Sequence, residues 1–241
     1  MRLFIATPSH YLAGGVERIL EALARHLPSR GIEVLVGLAK GARFHDPDRF
    51  RRAYPDMRTV DLDGRSGTAY ARRRGLRRAI LARDPDVVLN ARLYDTYPVC
   101  AELKREGHRL RLATTLQAYE ADFFVDLARY AAFVDCAITS GELIAEAVRR
   151  FTSVEQVASI PGGVAPPRRT RGAHAGPLRL GYVGRLEQLQ KRILDLPLLC
   201  DELARRGVPF TIRVAGAGTM SDELRARIPQ LQFDGWLSVD D

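Results

Sequence analysis

The sequence predicts an α/β protein built as a doubly wound parallel sheet, followed by a second, shorter unit of the same kind. Three observations lead there. Short apolar runs recur along the chain and alternate with segments whose apolar residues fall at helical spacing. The first of these runs, Leu3 to Thr7, reads as a buried strand. A stretch rich in proline, glycine and arginine, Pro161 to Gly172, interrupts this rhythm before it resumes at Leu178.

The elements follow in order. Leu3 to Thr7 reads as a buried strand and leads to a loop ending in Gly14-Gly15. Val16, Ile19, Leu20, Leu23, Ala24 and Leu27 then recur on one helical face, and Pro28 ends the helix. Strands are predicted at Glu33 to Ala39 and, more weakly, at Thr59 to Leu62. A helix over Ala69 to Ala82 precedes a strand at Asp86 to Asn90. Helix from Val99 to Glu106, strand from Leu110 to Thr115 and helix from Asp122 to Val134 come next. Strand Cys136 to Thr139, helix Glu142 to Phe151 and strand Val157 to Ile160 close a first domain at residues 1–160. Residues 161–176 read as a linker. In residues 177–241 the pattern is strand Leu178 to Val183, helix Ile193 to Arg206, strand Phe210 to Ala215, helix Ser221 to Ile228 and strand Leu231 to Phe233.

Composition excludes several classes of function. No apolar run approaches the roughly 18 residues of a membrane span, and the N-terminus is apolar too briefly for a signal peptide. Cys100, Cys136 and Cys200 sit far apart in apolar surroundings, so they read as reduced core thiols of a cytoplasmic protein. The net charge of +8 is carried by 34 arginines and only three lysines, a bias that reads as routine surface chemistry. Nucleic acid is not expected, because no aromatics interleave with the basic run Tyr70 to Arg78. That run is either a solvated helix face or a patch for peripheral contact with an anionic inner membrane surface. Scattered histidines and the absence of Gly-x-Ser-x-Gly and His-Glu-x-x-His leave no hydrolase or metal constellation, so no cofactor or metal is expected.

Two loops carry chemistry. Gly14 and Gly15 stand at the first strand–helix junction, where a doubly wound sheet binds its ligand; they also suit a plain tight turn. In the second unit Val183 is followed by Gly184 and Arg185, and Lys191 arrives six residues after that arginine. Two cations at the mouth of a strand–loop–helix unit suit a diphosphate, with the glycine allowing close backbone approach and the helix start adding positive potential. Gly216-Ala217-Gly218 ends a further strand, but Ser221 stands where a dinucleotide fingerprint wants glycine.

Taken together, Gly14-Gly15-Val16-Glu17, Ile138-Thr139-Ser140, Ser159 to Val164, Gly184-Arg185 with Lys191, Gly216-Ala217-Gly218 and Phe233 to Leu237 resemble the family 4 retaining glycosyltransferases. That family has the GT-B fold of two Rossmann-like domains facing a cleft. The resemblance implies a nucleotide sugar bound mainly by the second domain and a glycan, lipid-linked or small-molecule acceptor on the side of the first. Arg185 and Lys191 would stabilise the leaving diphosphate. Gly14, Gly15, Gly184, Gly216 and Leu237 would contact the donor. Gln117 stands where members commonly carry histidine, so it would bond a hydroxyl on the acceptor side without moving a proton. Gly162, Ala165 and Arg192 depart from the asparagine, aspartate and glycine usual at those places.

By the same resemblance the second domain is incomplete. A Rossmann-like half takes on the order of 150 residues, and the second here has about 75. The family's paired glutamates for sugar and ribose would lie beyond Asp241, so the chain is expected to be inactive by itself, with an uncovered sheet edge near Leu231 to Phe233. Two alternatives stand beside transfer: a fragment or pseudoenzyme that only binds a nucleotide diphosphate, and a nucleotide-sugar 2-epimerase.

Overall fold

The computed structural model describes residues 1–8, 15–40, 46–62, 68–163, 176–229, 231–235 and 237. The chain divides into two compact units, Met1–Ala165 and Pro166–Asp241.

The first unit runs β1 (Arg2–Thr7), α1 (Gly15–His26), β2 (Glu33–Ala39), α2 (Pro47–Ala53), β3 (Thr59–Leu62), α3 (Ala69–Arg83), β4 (Val87–Asn90) and α4 (Thr96–Arg105). It continues with β5 (Arg111–Leu116), α5 (Ala121–Tyr130), β6 (Cys136–Thr139), α6 (Glu142–Phe151) and β7 (Val157–Ser159). The strands form one sheet in the order β3-β2-β1-β4-β5-β6-β7, and every neighbouring pair is parallel. This is the doubly wound order, with α3 carrying the chain from the edge strand β3 back across to β4.

The apolar runs are explained by burial on both faces. In β1, Leu3 and Ile5 point to one side and join Val16 and Leu20 of α1 and Phe50 of α2. Phe4 and Ala6 point to the other, into a cluster with Leu76 and Ile80 of α3, Leu103 of α4, Leu127 of α5 and Val148 of α6. A strand with cores above and below cannot alternate with polar residues, so it reads as a continuous run.

Helix α2 escapes sequence reading because only Pro47 and Phe50 are buried among three arginines. Its signal is at the start: the Asp46 carboxylate accepts from the Arg49 N–H at 2.9 Å, and Pro47 occupies the first turn. Helix α4 begins at Thr96, earlier than the Val99 expected; Pro98 fits within its first turn, where its missing N–H has no partner to lose. Helix α5 stops at Tyr130, and a 3₁₀ turn at Ala131–Phe133 completes the predicted length.

The second unit contains β8 (Leu178–Val183), α7 (Gln188–Lys191), α8 (Asp195–Arg205), β9 (Phe210–Ala215), α9 (Ser221–Arg227) and β10 (Gln232–Gly235). Its three strands are parallel in the order β10-β9-β8. Ile212 and Val214 of β9 centre a core with Leu186, Ile193, Cys200, Leu224 and Ile228. β10, which follows the buried Leu231, is one edge of this sheet: Gln232 is exposed and none of its four residues is buried. The opposite edge is β8, likewise with no buried residue and with Val183 82% exposed.

Candidate functional site

The predicted helix over Ile193 to Arg206 is α8, Asp195–Arg205, and the short helix α7, which hydrophobic spacing does not predict, precedes it. Arg192 breaks them apart: with φ 48° and ψ 42° it is in the left-handed region, caps α7 and leads into α8. An L-residue with a Cβ is held there at a cost of roughly 1–2 kcal/mol, so glycine is the residue this position suits. Arg192→Gly is expected to stabilise the second unit by about 0.5 kcal/mol, after the added freedom of the unfolded chain is subtracted. The exposed Arg192–Asp195 pair at 2.9 Å offsets little of this gain. A raised urea midpoint checks it, and a lowered one would show that the ion pair outweighs the backbone.

The loops that follow β8 and β9 are fastened to each other by main chain. Gly184 N–H donates to Ala215 O at 3.0 Å, Leu186 N–H to Ala217 O at 3.0 Å, Gly216 N–H to Gly235 O at 2.6 Å and Met220 N–H to Leu186 O at 3.0 Å. Gly216, at φ 140°, lies so close to Gly184 that a Cβ would overlap the Gly184 carbonyl oxygen and come within 2.9 Å of its carbon. A Cβ on Gly218 would lie 2.6 Å from the Leu186 carbonyl carbon. The glycines of this G-x-G therefore serve loop-to-loop packing. The N–H groups of Gly184, Leu186 and Gly216 are already used.

Positive charge in this loop consequently comes from side chains. Arg185 is held in place: its carbonyl accepts from Tyr182 OH at 2.8 Å, Nη1 reaches the Glu187 carboxylate at 3.0 Å and Nη2 donates to Gln190 Oε1 at 2.7 Å. Lys191 ends α7, is exposed, and has no hydrogen-bond or ion-pair partner among the described residues. The bond to Gln190 carries the Arg185 guanidinium to the residue beside Lys191. Helix α7 is a single turn of four residues, so little macrodipole is available from it. Leu237 is described and 38% exposed.

In the first unit the strands β1, β4 and β5 end at Thr7, Asn90 and Leu116, and the sheet order turns between β1 and β4. Gly15 opens α1 with open space around it, while Gly14 lies outside the described residues. Gln117 follows β5 directly, and its Oε1 is buried without a hydrogen-bond partner among the described residues. Beneath this edge lies a buried polar network absent from the sequence reading. Asn90 Nδ2 donates to Thr114 Oγ1 at 3.2 Å, Asn90 Oδ1 accepts from Leu93 N–H at 2.9 Å, and Tyr97 OH bonds Thr114 Oγ1 at 2.8 Å. Burial pushes the Tyr97 hydroxyl above its ordinary pKa, and pushes nearby Tyr94 up to about 12. The one visible sequence signal is a polar Asn90 ending the apolar run Val87-Val88-Leu89.

The arginine run on α3 is largely consumed by carboxylates. Arg72 and Arg73 both reach Asp95 at 2.8 and 3.0 Å, and Arg77 reaches Glu106 at 2.6 Å, tying α3 to the two ends of α4. Arg74 and Arg78 are exposed. Among the described residues no helix is long and apolar enough to cross a membrane, and no three His, Cys, Asp or Glu residues cluster to hold a metal. Burial raises the thiol pKa of Cys100 to about 12, which makes it inert toward alkylation.

Comparison with known proteins identifies relatives for this arrangement. The family model described as Glycosyltransferase Family 4 matches residues 13–168. No curated protein matches the sequence. Among solved structures, the apo form of the lipopolysaccharide outer core galactosyltransferase WaaB aligns with all of this chain and 69% of its own, at 17% identity and a TM-score of 0.74. Anabaena HepE in complex with UDP and glucose covers 99% of this chain and 70% of its own, at 16% identity and a TM-score of 0.68. The pneumococcal O-GlcNAc transferase GtfA, in complex with UDP and GlcNAc, covers 99% and 76% at 12% identity, with a TM-score of 0.75. These likenesses give the chain the GT-B fold.

Proposed function

The chain belongs to glycosyltransferase family 4, and we propose that it uses a nucleotide-diphosphate sugar as donor, with a glycan, lipid-linked or small-molecule acceptor and retention at the anomeric carbon. The observation that carries the donor assignment is the pair of cations flanking the start of α7, Arg185 oriented in the loop before it and Lys191 at its end without a partner among the described residues. When the glycosidic bond to the nucleotide breaks, negative charge builds on the departing diphosphate. Arg185 and Lys191 would stabilise that charge more in the transition state than in the ground state. With two cations on the diphosphate, the reaction on this reading needs no metal ion.

The other assignments rest on the family resemblance. Gly15 with Gly14 would border the donor from the first unit, Gly216 and Gly184 would shape the loop pair beneath the diphosphate, and Leu237 would lie against the base. Gln117 Oε1 is a buried acceptor in want of a donor, and a sugar hydroxyl would satisfy it. UDP is the first nucleotide to test, since HepE and GtfA are both solved with it. The family match favours transfer over 2-epimerisation and over binding without catalysis.

Calorimetric titration with UDP, GDP and ADP tests the reading. The best binder is expected to lose about tenfold in affinity on Lys191→Ala, the scale of one charge-assisted hydrogen bond. Equal affinity in the variant would remove the diphosphate assignment.

A further inference from the structure

We propose that Glu187 is an internal competitor for the diphosphate: its carboxylate occupies Arg185 in the unliganded protein and is displaced when the donor binds. The inference rests on the diphosphate reading of Arg185 and Lys191.

The loop from Gly184 to Lys191 contains a single carboxylate, Glu187, between its two cations. Its oxygens lie 3.0 and 3.2 Å from Arg185 Nη1, where a phosphate oxygen would otherwise sit. The backbone at Arg185 is pinned by Tyr182 and the guanidinium is steadied from its other side by Gln190. Arg185 thus does not depend on Glu187 alone for its orientation. Both side chains of the pair are about one-third exposed, 38% for Arg185 and 34% for Glu187. A pair so exposed is weak enough for a multiply charged ligand to replace.

Two consequences separate this role from a merely supporting one. A positioning carboxylate that stays in place would strengthen diphosphate binding, and its removal would weaken it. A competing carboxylate weakens binding, and its removal strengthens it, through Arg185 specifically. Glu187 plays the second role: it neutralises Arg185 until an anion with enough charge displaces it.

The test is a double-variant cycle on the full chain, titrated with the tightest binder among UDP, GDP and ADP. Glu187→Gln is expected to bind about fivefold tighter, the upper range of an exposed ion pair. Glu187→Ala should match it, which covers misfolding of either variant, and Glu187→Asp should return toward the parent affinity. In an Arg185→Ala background the gain is expected to vanish. Unchanged or weaker binding by both Glu187→Gln and Glu187→Ala overturns the proposal, as does a gain that survives intact without Arg185. If Arg185→Ala itself leaves affinity unchanged, the diphosphate reading falls with it, and that result is distinct from the others.

Discussion

Gly216→Ala is expected to cost the second unit about 3 kcal/mol or more, by adding an L-residue's left-handed strain to severe overpacking. The added methyl would meet the Gly184 carbonyl, a main-chain group that cannot swing aside as a side chain can. Relief requires parting the β8 and β9 loops, which breaks the hydrogen bonds from Gly184 to Ala215 and from Leu186 to Ala217. Leu186 is buried in the core beneath, so the damage would spread from the loop into the packing around Val214 and Leu224. Gly218→Ala should behave alike, through its approach to Leu186. Gly181→Ala is the control: it lies in β8, its φ is not positive, and a Cβ there meets nothing within 4 Å. Thermal melting of the three variants decides the matter. If Gly216→Ala melts with Gly181→Ala, the loops are not locked as described. Nucleotide affinity should fall with Gly216→Ala as well, because Arg185 and Leu186 share the displaced loop.

The same two glycines mark where sequence reading succeeds and where it stops. A G-x-G after a strand draws attention to this loop. Its physical reason is backbone meeting backbone across two loops, a tertiary contact that no local pattern encodes. The parallel sheet is legible because two-sided burial imprints an apolar run on each central strand, as in Phe4 to Ala6 between the cores of α1 and α3. Helix α2 is illegible by periodicity because it buries so little, although its Asp46-Pro47 start is a local signal. Helix α7 and the left-handed break at Arg192 are invisible to hydrophobic spacing, since the four residues of α7 include one apolar side chain, Leu189. The cations Arg185 and Lys191 stand out by type alone. Glu187 and Gln190, which engage Arg185, look like ordinary polar helix residues until the loop is folded.

Asn90→Leu is expected to destabilise the first unit by about 2–3 kcal/mol, even though leucine has a similar size and the site is buried. The asparagine is 2% exposed and does two jobs at once. Its Oδ1 accepts the Leu93 N–H, closing the turn that takes β4 into α4, and its Nδ2 donates to Thr114 on β5. Leucine would leave a buried main-chain N–H without a partner, and the desolvation cost of that group exceeds what the added apolar contact returns. Arg92, within that turn, is itself held in the left-handed region at φ 70°, so the turn has strain to release once its tie is cut. Tyr97→Phe gives a graded comparison. It removes the hydroxyl's bonds to Thr114 and Asn90, while Thr114 and Asn90 keep each other, so a loss of about 1 kcal/mol is expected. Urea unfolding of both variants, followed by a probe of the first unit, reads the difference. A loss for Asn90→Leu no larger than for Tyr97→Phe would mean that the β4–α4 turn stands without its asparagine. A clear excess would instead assign Asn90 the shaping of the sheet edge between β1 and β4, beside the position of Gln117.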